Sequence, residues 1–362
     1  MCSVDDLERR IADEVLRRGG VAALDAYEHA GDAGACLKHF CEAVHGLLKA
    51  GLLRANRPFA PDADPAEVLD LRLQSNRPPG VPAKPVLLSG DLVYFPDRIL
   101  GRGSASVVYA GEDRRSHQPV AVKVLELRSR PPEELRAWFY ERFRQEPCIL
   151  ARIDHPHVVD VVAWGETDGT PWFAMELIEG GTLLDRLRRE RRIPPAEVRD
   201  CLRGVAGALG AAAAHGIHHR DVKPGNIFVS GWKLADFNIA KVMLGPDTDH
   251  GPFRSITQSG ARVGTPAYVA PERAMFGQGD FRSDIYSLGA TAYHAATGKF
   301  VFNLPPDDGN AWAVAHRREA PVPVVERVPG FPPALAAVIH RCLAKEPEQR
   351  YGSFEALLND LD

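Results

Sequence analysis

The sequence predicts an α+β fold: a β-rich segment, then a mainly helical one, with a small, mostly helical region ahead of both. Three observations carry this. From Leu87 onward, short runs rich in β-branched and aromatic residues recur at strand length (LVYF, SVVYA, PVAVKVLEL), a composition that suits a pleated, half-buried surface. Long helical runs follow them. Across 362 residues, 45% are hydrophobic and 25% charged, which fits a folded globular chain and excludes a largely disordered, collagenous or coiled-coil one. The length suits two domains, or one large domain with an extension.

At the N-terminus, VDDLERRIADEVLRR places Val4, Leu7, Ile11, Val15 and Leu16 at helical spacing, and Gly19-Gly20 ends that helix. A second amphipathic stretch is expected over 33–53, a loop over 54–65 and a short strand over 68–73. Residues 76–85 read NRPPGVPAKP, half of them Pro or Gly, so 76–87 is expected to be a linker. Residues 1–75 form the N-terminal region and 88–362 the main domain.

Charge and cysteine usage bound the environment. Lys plus Arg number 44 and Asp plus Glu 48, a net charge of −4. Such a chain is not built overall to hold nucleic acid or an anionic membrane. Residues 1–90 carry 11 basic and 13 acidic residues. HGLLKAGLLRAN followed by a strand loosely suggests a winged helix, but without a basic face a helical regulatory or interaction module is the better expectation. Six cysteines without a CxxC pair point to a reduced, cytoplasmic interior. No run reaches the ~18 apolar residues of a membrane span, and no apolar signal core opens the chain. Cys36, His39, Cys41 and His45 match no zinc spacing and do not converge on one helix face. The run Arg186, Arg188, Arg189, Arg191, Arg192 reads as a solvated helix end.

The chemistry-bearing residues come in order. Leu100-Gly101-Arg102-Gly103-Ser104-Ala105-Ser106-Val107-Val108-Tyr109 lies between two strand-like runs. Two glycines let a hairpin backbone close over phosphates, although an ordinary turn reads the same way. The second run continues as strand, which argues against a dinucleotide fold. Val120-Ala121-Val122-Lys123-Val124 sets one lysine in an apolar strand. It is either an ordinary edge-strand lysine or a cation that needs a buried partner. Only nine of the 44 cationic residues are lysines. A helical Glu146 follows 23 residues on. Then come Ile217-His218-His219-Arg220-Asp221-Val222-Lys223-Pro224-Gly225-Asn226 and Leu234-Ala235-Asp236-Phe237-Asn238.

This ordered set resembles the eukaryotic-type protein kinases, specifically the bacterial (Hanks-type) serine/threonine group, over about residues 92–361. The resemblance implies a bilobal kinase fold, with a β-rich N-lobe over about 88–177 and a helical C-lobe over about 178–362. It implies ATP and Mg²⁺ as cofactors, Mn²⁺ being an alternative, and protein Ser/Thr hydroxyls as acceptors. Phosphoryl transfer is mostly positioning and charge neutralisation, and the implied roles follow from that. Asp221 orients or accepts the hydroxyl proton. Lys223 stabilises charge on the transferring phosphate. Asn226 and Asp236 hold the metal. Lys123, fixed by Glu146, binds the α- and β-phosphates. Leu100, Gly101, Gly103, Val108 and Ala121 cover the nucleotide and Phe228 underlies it. Met175 is the gatekeeper, and Glu176 and Ile178 offer backbone groups to the base.

Resemblance also places an activation loop between Asp236 and Ala270-Pro271-Glu272. Thr257 and Ser259 are its candidate phosphorylation sites, with Arg220 and Lys241 as cationic partners and autophosphorylation in trans, through a homodimer, as the route. Thr265 belongs to the substrate platform. Asp284 is expected to cap the catalytic loop, and Glu272 to pair with Arg350. Three residues depart from the family pattern: Ser106 and Asn238 stand where glycines are usual, and Pro147 follows Glu146 directly. A proline inside a helix removes a hydrogen bond and clashes with the preceding turn. Pro147 therefore bears on the start, straightness or swing of this control helix, and with Asn238 it is what speaks for the alternative, a weakly active or pseudokinase-like interaction module gated by nucleotide binding.

Overall fold

A computed structural model describes residues 85–103, 105–127, 133–237, 266–276, 279–305 and 308–361, with 21–22, 44, 53–55 and 72–75. It comprises two compact units, 1–115 with 126–136, and 116–125 with 137–362.

In the first unit, β1 (Val21–Ala22), β2 (Leu53–Ala55) and β3 (Arg72–Ser75) form an antiparallel sheet in the order β1-β3-β2. Leu53 thus opens a strand rather than closing a helical stretch. The strand expected at 68–73 is found at 72–75, because its ladder partners are 21–22 and 53–55. Of the helices expected in residues 1–52, only Val44 is among the described residues, where it is helical and wholly buried; the rest, the linker up to residue 84, and Cys36, His39, Cys41 and His45 lie outside them.

β4 (Val86–Ser89), β5 (Leu92–Arg102) and β6 (Ser106–Asp113) follow as an antiparallel meander. The β5–β6 register shifts between Tyr94 and Ile99. Pro96 sits in that interval, and proline has no N–H to give a ladder. The glycine hairpin closes with the Gly103 N–H donating to the Ser106 carbonyl at 2.8 Å. A Cβ on Gly103 would stand 3.1 Å from the Ser106 hydroxyl oxygen, so the turn leaves little room for any side chain there. Tyr109 stacks at a tilt on Tyr94, ring centroids 4.8 Å apart, and its hydroxyl donates to Glu126.

In the second unit, β7 (Gln118–Leu125), β8 (Val161–Thr167) and β9 (Thr170–Glu176) pair antiparallel in the order β7-β9-β8. Asp168-Gly169 joins the last two with positive φ at both residues (50° and 72°), the twist that a two-residue hairpin favours. Between β7 and β8 runs α1 (Glu133–Leu150).

The helical part contains α2 (Leu183–Glu190), α3 (Pro195–Ala214), α4 (Pro271–Phe276), α5 (Phe281–Thr297), α6 (Gly309–Arg318), α7 (Val324–Arg327), α8 (Pro333–Cys342) and α9 (Phe354–Asn359). A capping box starts α2: the Thr182 hydroxyl accepts from the Asp185 N–H, and the Asp185 carboxylate accepts from the Thr182 N–H. Every residue of α5 from Ser283 to Tyr293 is buried. It therefore serves as the spine against which α3 and α8 pack. Among the described residues, no helix is long and apolar enough to cross a membrane.

The arginine run divides. Arg188, Arg189, Arg191 and Arg192 are exposed, but Arg186 is half-buried and paired with Glu190 at 3.0 Å and with Glu197. Its position on the buried side of α2 separates it from the other four.

Candidate active site

Lys123 and the carboxylates around it lie in the second unit. Lys123 stands on β7 opposite Phe173 of β9. Its ammonium donates to Glu146 Oε1 at 2.7 Å and to Asp236 Oδ1 at 2.9 Å. Burial opposes its charge, but the Asp236 and Glu146 carboxylates outweigh it, so the ammonium titrates well above the usual lysine range. Lys123 likewise holds Asp236 below the ordinary carboxylate range. Burial pushes the Glu146 carboxyl up. The edge-strand reading of Lys123 is thereby replaced by a buried, doubly paired cation.

Pro147 does not break the control helix. α1 runs on to Leu150 with Pro147 inside it. One rung is lost, but Phe143 and Leu150, both buried, fasten the helix on either side of the proline. Glu146 keeps its partner, so the feature that favoured a disabled site leaves the ion pair intact.

The second cluster is built on the segment after α3. Arg220 and Asp236 both adopt left-handed backbone, φ 66° and 57°, a conformation that costs a non-glycine residue and needs support from its surroundings. The support is visible. Asp284, buried on α5, accepts the backbone N–H groups of His219 and Arg220 at 2.8 Å each. His219 is wholly buried; its Nε2–H donates to the Ala235 carbonyl at 2.9 Å and its Nδ1 accepts the Asp221 N–H at 3.2 Å. These two bonds fix a neutral tautomer, and burial lowers the His219 pKa in the same sense. The Phe237 ring, also buried, lies 4.5 Å from the His219 ring. One histidine thus joins the segment carrying Asp221 to the one carrying Asp236.

Within that frame Lys223 donates to Asp221 Oδ2 at 2.6 Å. The Asn226 amide nitrogen donates to the Asp221 carbonyl at 2.9 Å and to Oδ2 at 3.2 Å. Since its nitrogen is committed to Asp221, Asn226 has its oxygen to offer a cation. The Asp236 side chain is half exposed. A carboxylate and an amide oxygen, completed by phosphates and water, suit a hard divalent ion such as Mg²⁺.

At the base-binding end, Met175 is buried opposite Ala121. Phe228, on β10 (Ile227–Phe228), pairs with Lys233 of β11 (Lys233–Leu234) and bridges to Thr182. The Glu176 N–H already donates to the Asp160 carbonyl at 3.0 Å, so of its backbone groups only the carbonyl is available to a base. Leu100, Gly101, Gly103 and Val108 belong to the first unit. Asn238, Lys241, Thr257, Ser259 and Thr265 lie outside the described residues.

Two features escape sequence reasoning. Arg142 on α1 is 9% exposed and stacks on Trp138, 3.6 Å from the ring centroid, yet among the described residues neither of its terminal nitrogens has a hydrogen-bond partner. Burial and the nearby Arg220 charge bring its pKa down to about 10. Glu176 also holds Lys233 through its side chain. No pattern of spacing marks either, because each depends on neighbours distant in the chain.

Farther from the cluster, Glu272 and Arg350 form the expected pair through two parallel bonds of 2.8 Å, and Ser283 donates to the same carboxylate at 2.5 Å.

A lysine clamped by two acids, beside a loop that presents Asp, Lys and Asn on one short turn, defines a protein kinase domain. The chain belongs to that family: the protein kinase domain model matches residues 94–361. Within it, the chain falls among bacterial serine/threonine kinases. It is 37% identical over 274 residues to serine/threonine-protein kinase PknB of Mycobacterium leprae, covering 73% of this chain and 41% of the relative. It is 38% identical over 279 residues to PknB of Mycolicibacterium smegmatis, covering 74% and 42%. Against PknL of Mycobacterium bovis it is 36% identical over 277 residues, covering 75% and 65%. The chain thus spans about two fifths of the length of the PknB relatives.

Proposed function

We propose that the protein is a serine/threonine protein kinase that transfers the γ-phosphate of ATP, carried with Mg²⁺ or Mn²⁺, to Ser and Thr hydroxyls of protein substrates. The observation that carries this reading is Lys123 bridging Glu146 and Asp236 in one cluster. The nucleotide and metal supply the phosphoryl group and a Lewis acid for its oxygens. Asn226 and Asp236 hold the metal, and Lys123 binds the non-transferred phosphates. Lys223 neutralises charge at the transferring group, and Asp221 orients the acceptor hydroxyl and takes its proton. Ala121, Met175 and Phe228 contact the nucleotide; Leu100, Gly101, Gly103 and Val108 of the first unit are nucleotide contacts by the family resemblance. The Glu176 carbonyl and the Ile178 backbone address the base. Residues 1–75 act as an interaction or regulatory region joined through 76–87.

The test is incubation of the chain with labelled ATP, Mg²⁺ and a generic protein acceptor. Label on Ser or Thr, absent in Asp221→Asn, is expected. Equal labelling by the variant, or none by the wild type, overturns the reading.

Regulation by autophosphorylation of Thr257 or Ser259, in trans between two copies, is part of the same reading, with Thr265 contacting the catalytic loop. What supports it is the Arg142 guanidinium close to Arg220: among the described residues its terminal nitrogens have no hydrogen-bond partner, and a guanidinium so placed suits a phosphate. The measurement is phosphosite mapping together with the rate of a Thr257→Ala, Ser259→Ala double variant. An unphosphorylated, fully active double variant overturns it.

A further inference from the structure

Glu176 ends β9, and its carboxylate is more occupied than that of a surface residue. It accepts the Asp160 N–H at 2.9 Å, while the Glu176 N–H donates back to the Asp160 carbonyl at 3.0 Å. The same carboxylate pairs with the Lys233 ammonium, which also approaches Asp160 Oδ2 at 3.6 Å. Lys233 and Glu176 side chains are only 18% and 30% exposed. An exposed pair of this kind contributes little, but this one is sheltered and closed by reciprocal backbone bonds. It also joins segments with different duties. Residues 157–159 run beside β11, with the Leu234 N–H donating to the His157 carbonyl at 2.8 Å and the Val159 N–H to the Leu234 carbonyl at 3.1 Å. Lys233 sits opposite Phe228 and three residues before Asp236.

We propose that the Lys233–Glu176 pair, braced by Asp160, is a positioning device that fixes the base-addressing carbonyl of Glu176 relative to the strand that delivers Asp236, and so sets nucleotide affinity. Neither side chain touches the reacting atoms. The inference rests on the nucleotide-site reading above. Losing a charged hydrogen bond from such a network corresponds to a change of about tenfold in affinity.

The experiment measures calorimetric binding of a non-hydrolysable ATP analogue with Mg²⁺, and KM for ATP against kcat, for wild type, Lys233→Met, Glu176→Gln, the double variant and Lys233→Arg. The expected result is a Kd and KM raised about tenfold in both single variants, kcat of Lys233→Met within about threefold of wild type, a double variant no worse than the weaker single, and substantial recovery in Lys233→Arg. Unchanged Kd in the single variants, or a fall in kcat at constant KM, overturns the positioning role while leaving the nucleotide site standing. A wild type that binds no analogue overturns the site and the role together. If Lys233→Met does not fold, Glu176→Gln and Lys233→Arg decide by the same criteria.

Discussion

Lys223 Nζ stands 2.6 Å from Asp221 Oδ2, and the Asn226 amide reaches the same oxygen from 3.2 Å. Two donors on one oxygen orient the carboxylate and leave its other oxygen free of them. On the proposed function, Asp221→Asn removes the proton acceptor while keeping the shape. We expect phosphotransfer to fall by about 10²–10⁴-fold with the thermal midpoint little changed, as read by a labelled-ATP assay beside a melting curve.

Removing the cation between Glu146 and Asp236 has a different signature. Lys123→Met leaves one buried and one half-exposed acid without their common partner. Breaking such a pair from one side costs about 3–5 kcal/mol. Denaturant unfolding of the variant is expected to show that loss, together with loss of nucleotide binding. Unaltered stability would mean that the two acids find other donors.

Acid sensitivity follows from His316. It is wholly buried on α6, its Nδ1 is 2.7 Å from the Tyr286 hydroxyl, and burial lowers its pKa to about 3. The folded chain therefore keeps it neutral, while the unfolded chain protonates it near pH 6.5. Below that pH the unfolded state binds the extra proton, so stability is lost as pH falls from about 6.5 toward 3. Replacing His316 with Gln is expected to flatten the stability profile across this window, as measured by denaturant midpoints at each pH.

Gly289 marks the tightest approach along α5. A Cβ there would lie 2.5 Å from Cys342 Cβ and 3.3 Å from its carbonyl carbon on α8. Backbone on the far side cannot yield as a flexible side chain does. Gly289→Ala is expected to destabilise by about 1–3 kcal/mol through overpacking, seen as a lower unfolding midpoint with nucleotide affinity retained in the folded fraction.

The contacts were legible where chemistry restricts residue type. Lys123 was expected against Glu146, and Asp284 at the backbone it holds, and both contacts form. The effect of Pro147 was open in the sequence because local propensity speaks only for the nearest turn, whereas Phe143 and Leu150 act through distant packing partners. The strand at Leu53 was hidden for a similar reason: ladder partners, rather than its own alternation, determine it. Arg142 and the Glu176–Lys233 pair left no trace because their meaning lies in what folding brings beside them.

Arg350 is 2% exposed, and each of its five N–H groups has an acceptor: both Glu272 oxygens and the carbonyls of Arg282, Ala344 and Lys345, at 2.8–3.0 Å. An ammonium has three protons on a single nitrogen and lacks the planar fork. Lysine at this position would strand at least two acceptors in dry protein while preserving the charge. The helical part is thus fastened by the shape of a guanidinium, and charge alone is no substitute for it.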